Sequence, residues 1–236
     1  MVFRFVFQVP TDLDISRLEA YYYSLGLRGD VIVWEMEDNG EENLLGFVNM
    51  ATPTKVIEIK STDVASRLEG RIAHEITHIS LTNNRFNNIC YHDEPICLEN
   101  KYLEFTNQFS NFLHHQVLYP KYIYNGFTLE DDIDIVQRFY MDANNIEQMV
   151  LAFQSEDRFA KAWVIISIMN DLLRLADRRD ILIDIIGIHL REAIDIAEEV
   201  LNEIGIVNSL EEYLNSKSII EQRFNLPIFE LDEEKN

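Results

Sequence analysis

His74-Glu75-Ile76-Thr77-His78 brings two imidazoles and a carboxylate into five consecutive residues. Residues four apart share a helical face, so on a helix His74 and His78 direct two ring nitrogens at one metal ion. Glu75 is turned by about 100° from His74. Its carboxylate therefore lies beside the open coordination position, where it can take a proton from a metal-bound water and pass it to a leaving group. Ile72, Ala73, Ile76, Ile79 and Leu81 supply the apolar flanks that a packed helix needs. A carboxylate-bridged di-iron reading would require a second Glu-x-x-His, and none of His92, His114, His115 or His189 has a glutamate three residues earlier.

A catalytic zinc takes three protein ligands and keeps one position for water. Ile79-Ser-Leu-Thr-Asn-Asn84 offers neither a glycine nor a third histidine just beyond the motif, so a glutamate from a later helix is expected. Glu94, Glu99 and Glu104 are within reach. On a helical wheel Leu98, Tyr102, Phe105, Phe109, Phe112 and Leu113 form one apolar face. Glu94 falls at its edge, Glu104 nearly opposite, and Glu99 between. A carboxylate on a buried face needs a cation, which makes Glu94 the first choice and Glu104 the alternative. Tyr91 and His92, next to Glu94, are placed to stabilise an oxyanion or contact substrate. Cys90, His92 and Cys97 form a weaker constellation that lacks a fourth ligand. His114-His115, about 30 Å along a helix from Glu94, reads as a helix C-terminal feature. His189 reads as an ordinary residue of a later helix.

These residues need a scaffold. Val2–Val9, Val31–Glu37, Leu44–Met50 and Lys55–Lys60 carry strand patterning, and Asp14–Leu25 is helical, stopping at Gly26. From Ser61 or Thr62, either a plausible N-cap, a helix runs to about Leu81. A second long helix starts at Glu94-Pro95 and reaches Val117 before Pro120. Beyond Asn125-Gly126 the spacing is helical throughout: Leu129–Met141, Ile146–Phe153, Asp157–Ala176, Ile181–Ile204 and Leu210–Phe224. The tail from Leu231 is expected to fray. The fold class expected is α+β: a front half, 1–125, with a small twisted mixed sheet and the motif helix, then an all-helical half, 126–236.

Arg71–His78 followed by Tyr91-His-Asp-Glu-Pro-Ile-Cys97 resembles the gluzincin clan of zinc metallopeptidases, where H-E-x-x-H precedes a helix beginning W-L-x-E-G-L-A. Tyr91 stands for the tryptophan, Glu94 for the ligand and Pro95 for the glycine. Val56–Lys60, Arg71–His78, Glu104-Phe-Thr-Asn-Gln-Phe109 and Pro120 are similar to the ImmA/IrrE-like metallopeptidases, with Phe105 at the ligand position and Glu104 one residue before it. The resemblances imply a zincin-like core in residues 1–125, with an edge strand (Leu44–Met50 or its neighbour) that grips an extended peptide. They imply Zn2+ on His74, His78 and Glu94, with Glu75 as general base.

The composition bounds the rest. The 236 residues, 47% hydrophobic, are enough for a sizeable core, while the net charge of −21 disfavours nucleic acid as a partner. The one cationic run, Arg174 to Arg179, is interleaved with Asp177 and Asp180. No membrane partner is expected, since Ala162–Met169 falls far short of the roughly 20 apolar residues of a span. Two cysteines and no signal-peptide core suit a cytoplasmic protein. The expected activity is zinc-dependent hydrolysis of peptide bonds in peptide or protein substrates, basic ones favoured, with the helical half as a surface for a regulatory partner. The alternative is a catalytically weak or inactive zincin-fold module that binds metal and regulates through interaction.

Overall fold

Val31, Val33, Ile57 and Ile59 are all fully buried, as neighbouring strands with one covered face require. In the computed structural model, which describes residues 2–36, 45–49, 54–90, 100–176, 178–227 and 230–231, they lie on β2 (Val31–Glu35) and β4 (Lys55–Ile59). With β1 (Phe3–Phe5) and β3 (Gly46–Asn49) these strands form a four-stranded mixed sheet in the order β1-β2-β4-β3. β1 and β4 pair with β2 in parallel, and β3 runs antiparallel to β4 along one edge, Gly46 facing Ile59. The first strand is shorter than its patterning suggests: after Val6 donates to the Val33 carbonyl, the chain bends away.

The parallel β1–β2 pair demands a crossover, supplied by α1 (Ile15–Ser24). Asp14 caps it, accepting from the Arg17 amide, and Leu18, Tyr21 and Tyr22 face inward. The motif helix is α2 (Ala65–Asn83). Its N-cap is Val64, which offers no side-chain bond, rather than Ser61 or Thr62. Those hydroxyls are used elsewhere: Ser61 donates to the Glu35 carboxylate, and Thr62 Oγ1 accepts from the Val64 amide.

The long helix α3 (Asn100–Tyr124) runs straight through Pro120 instead of closing before it. A proline inside a helix loses one backbone bond and costs about 3 kcal/mol. The turn beyond Pro120 offsets that by burying Tyr122, whose hydroxyl donates to the Thr128 carbonyl at 2.5 Å. The chain then reverses at Gly126, with φ +72°. Five further helices follow: α4 (Glu130–Met141), α5 (Ala143–Gln154), α6 (Arg158–Leu175), α7 (Asp180–Ile204) and α8 (Leu210–Arg223). The described chain is thus α+β, with eight helices and a small mixed sheet. The segment expected to fray begins with an ordered pair: β6 (Glu230–Leu231) pairs antiparallel with β5 (Ile89–Cys90).

The chain divides into two compact units that interleave in sequence rather than meeting near residue 125. Residues 1–85 and 120–131 form one, and residues 86–119 and 132–236 the other. In the first, Asp131 locks α2 in place: its carboxylate takes a two-pronged contact from Arg71, at 2.6 and 3.0 Å, and a third from Arg67 at 3.0 Å. Arg71 also donates to the Lys60 carbonyl at 2.5 Å. In the second, α6 is buried nearly all round, from Ala162 to Leu172 apart from a half-buried Trp163, which makes it the central helix. No helix among the described residues is long and apolar enough to cross a membrane.

Gly70 on α2 provides a test of this packing, because a Cβ there would stand 2.5 Å from the Tyr122 hydroxyl. Helix propensity alone predicts that Gly70→Ala stabilises by about 1 kcal/mol. Displacing the tyrosine and its hydrogen bond should reverse the sign, to a net loss of about 1–2 kcal/mol in urea unfolding. A gain in stability would refute the packing. Asp131→Ala should cost about 3 kcal/mol, since it leaves the half-buried Arg71 guanidinium without its carboxylate.

Candidate metal centre

His74 and His78 occupy successive turns of one face of α2, both half-buried. Their Nε2 atoms are 3.1 Å apart and their ring centroids 4.9 Å. Two nitrogens each about 2.0–2.1 Å from a tetrahedral zinc stand about 3.3–3.4 Å apart, so the pair is already close to chelating geometry. Neighbours set the rings and the turn that bears them. The Tyr122 ring lies 6.4 Å from His74, near edge-on. Inside the motif, Thr77 bonds the Ala73 carbonyl at 2.8 Å and shares a 2.7 Å hydrogen bond with the Tyr21 hydroxyl. That contact ties the motif's inner face to α1.

Glu75 is buried, at 7% exposure. Desolvation pushes its carboxyl up to about 8, because the charged form loses water without gaining a partner. It makes no salt bridge with any described residue. A cation beside it would draw that value back down. The edge strand comes close: a Cβ at Gly46 would meet Glu75 Oε1 at 3.3 Å and Ile59 Cδ1 at 2.6 Å. Glycine at 46 thus lets the β3 backbone pass directly over the carboxylate.

The third ligand expected from the sequence, Glu94, lies outside the described residues, as do Tyr91, His92 and Cys97. Glu104 falls on α3, with its side chain outside them. The described residue that joins the pair is His115, also on α3. One ligand atom from each of His74, His78 and His115 falls within 4.8 Å of the others, and this group could hold a metal ion. Imidazole donors suit zinc, copper, iron or nickel. His115 is 4% exposed, and its Nδ1 lies 2.7 Å from Asn170 Oδ1.

The reading of His114-His115 as a helix C-terminal feature is therefore corrected. The helix continues to Tyr124, and both rings are buried. Burial holds His114 below the ordinary histidine range while it bonds the backbone at Phe86 and Asn87, the environment of a neutral core residue. Sequence reasoning missed His115 because its distance was judged against Glu94, which was itself only an expectation. The available signal was the bare requirement for a third ligand, together with a histidine on a buried helix face. His189 is exposed on α7, as an ordinary helix residue would be.

Replacing either His74 or His78 with Ala should weaken zinc binding by more than the roughly 100-fold that a supporting neighbour can contribute. Glu75→Gln should retain it, as measured by competition with a chromogenic chelator. Equal affinity in all three variants would refute a centre on this helix face. No family model, curated protein or solved structure matches the chain.

Proposed function

We propose that this chain is a zinc-dependent peptide hydrolase of zincin type, with His74, His78 and His115 holding the metal and Glu75 as general base. The observation that carries the reading is a group of three imidazole donors that could hold a metal ion, with a buried carboxyl at Glu75, next in sequence to the first of them. His115 as third ligand departs from the gluzincin pattern, in which Glu94 would hold that place. When bound, zinc would supply Lewis acidity, polarising the scissile carbonyl and acidifying a water. Glu75 takes the proton from that water and delivers it to the leaving amine.

The small mixed sheet and its antiparallel edge strand next to α2 are the arrangement that a zincin-like fold implies. In this reading an extended substrate adds to β3 by main-chain hydrogen bonds, and Gly46 brings its backbone over Glu75. The net charge of −21 favours basic peptides, with a preference that weakens at high salt. A regulatory partner on the later helices and a cytoplasmic setting belong to the same proposal.

The test is hydrolysis of a fluorogenic peptide library by zinc-loaded protein. Glu75→Gln should lower kcat by about 10²–10⁴-fold with metal retained, and chelation should abolish cleavage until zinc is restored. His115→Ala should lose metal while Glu94→Ala keeps it; the reverse result would return the third position to Glu94. Tight zinc binding with no cleavage of any peptide would instead favour the metal-binding regulatory module.

A further inference from the structure

Asn170 is a buried amide on the central helix α6, 1% exposed. Its Oδ1 faces His115 Nδ1 at 2.7 Å, a short and well-formed hydrogen bond. A neutral imidazole has one N–H and one lone pair. If Nδ1 donates to an amide oxygen, the proton is fixed there and Nε2 keeps the lone pair that a metal requires. We infer that Asn170 is a positioning residue for the metal centre: it sets the His115 tautomer and ring angle so that Nε2 is presented as a ready ligand. The inference rests on the proposed metal centre and assigns it a residue that does not itself touch the ion.

The surroundings support this role. The Tyr119 ring packs against His115 at 5.0 Å and 62°, so the imidazole is fixed by one neighbour on its own helix and by Asn170 on another. The turn of α6 that carries Asn170 is anchored in turn. Asp171 accepts from Tyr140 at 2.8 Å and from Arg174 at 3.4 Å, and Tyr119 donates to Asp132 at 2.5 Å. Ligating histidines characteristically pass their second N–H to a carbonyl or carboxylate oxygen, and losing that partner lowers metal affinity about 10–100-fold. His115 also belongs to the group of three imidazoles that could hold a metal ion, so a bond that fixes its tautomer bears directly on that group.

The test uses the full-length chain and zinc alone. Long-range 1H–15N spectra of the metal-free protein should show His115 protonated at Nδ1 in the wild type and in Asn170→Asp, which keeps an acceptor. Asn170→Ala and Asn170→Leu should lose that single tautomer and weaken zinc about 10–100-fold by chelator competition, while Asn170→Asp restores affinity. A wild-type His115 protonated at Nε2, or zinc affinity unchanged in Asn170→Ala, overturns the inference. If the alanine variant fails to fold, the wild-type tautomer and the Asn170→Asp affinity decide. Zinc bound tightly only when Asn170 is intact, with no peptide cleaved, supports the inference and sinks the proposed hydrolase. Zinc dependent on His115 but indifferent to Asn170 does the opposite, and no zinc binding at all sinks both.

Discussion

Burial of the Glu75 carboxyl is the constraint around which this molecule is organised. Ionising a carboxyl that burial strips of most of its water, with no counter-charge among the described residues, costs several kcal/mol, and here desolvation raises its pKa to about 8. A chain selected only for stability would place a leucine or an alanine at that position, since α2 is otherwise buried along Leu68, Ile72, Ala73, Ile76 and Ile79. The site is stable as built only if the group is used, either protonated or facing a cation. The two half-buried imidazoles on adjoining turns belong to a group that could hold such a cation.

Holding such a turn requires a rigid helix, and the rest of the first unit provides one. Arg71, one turn before Glu75, is clamped by Asp131. Gly70 admits the Tyr122 hydroxyl, and Thr77 is tied to Tyr21. Gly70 and Thr77 share one side of α2 and Arg71 lies about 100° round from them, so rolling or sliding the helix would disturb a close contact or a hydrogen bond on two faces. Such bonds are worth little when made and much when broken, so together they fix position more than they add stability.

How far the sequence reveals this follows from the range of each interaction. β2, β4 and α2 are legible because their signals are local: alternation at Val31/Val33 and Ile57/Ile59, and the three- and four-residue steps through Leu68, Ile72 and Ile76. The His74–Glu75–His78 geometry is legible for the same reason, as helical periodicity alone brings the imidazoles together. The passage of α3 through Pro120 is not, because what offsets the lost bond is the burial of Tyr122, a tertiary fact. Nor is the β5–β6 pair, whose strands are too short to carry a pattern and lie far apart in the chain. That His115 belongs to a group that could hold a metal ion was not legible, since periodicity does not encode tertiary packing.

The nature of the third ligand bears back on Glu75. With Glu94 in the first shell, two imidazoles and a carboxylate would cancel one of the two charges of a zinc ion. With His115 there, all three donors are neutral and the full charge remains. A dication so exposed exerts a stronger pull on any nearby acid, and the nearest on α2 is a carboxyl that burial alone would keep protonated. In the proposed centre a neutral donor set and Glu75 as general base would be complementary: the first would supply the field that the second needs in order to ionise. On the same proposal an amide rather than a carboxylate behind His115 has a reason. An aspartate at 170 would feed negative charge through the imidazole and soften that field, whereas Asn170 orients the ring and leaves the charge at the centre undiminished.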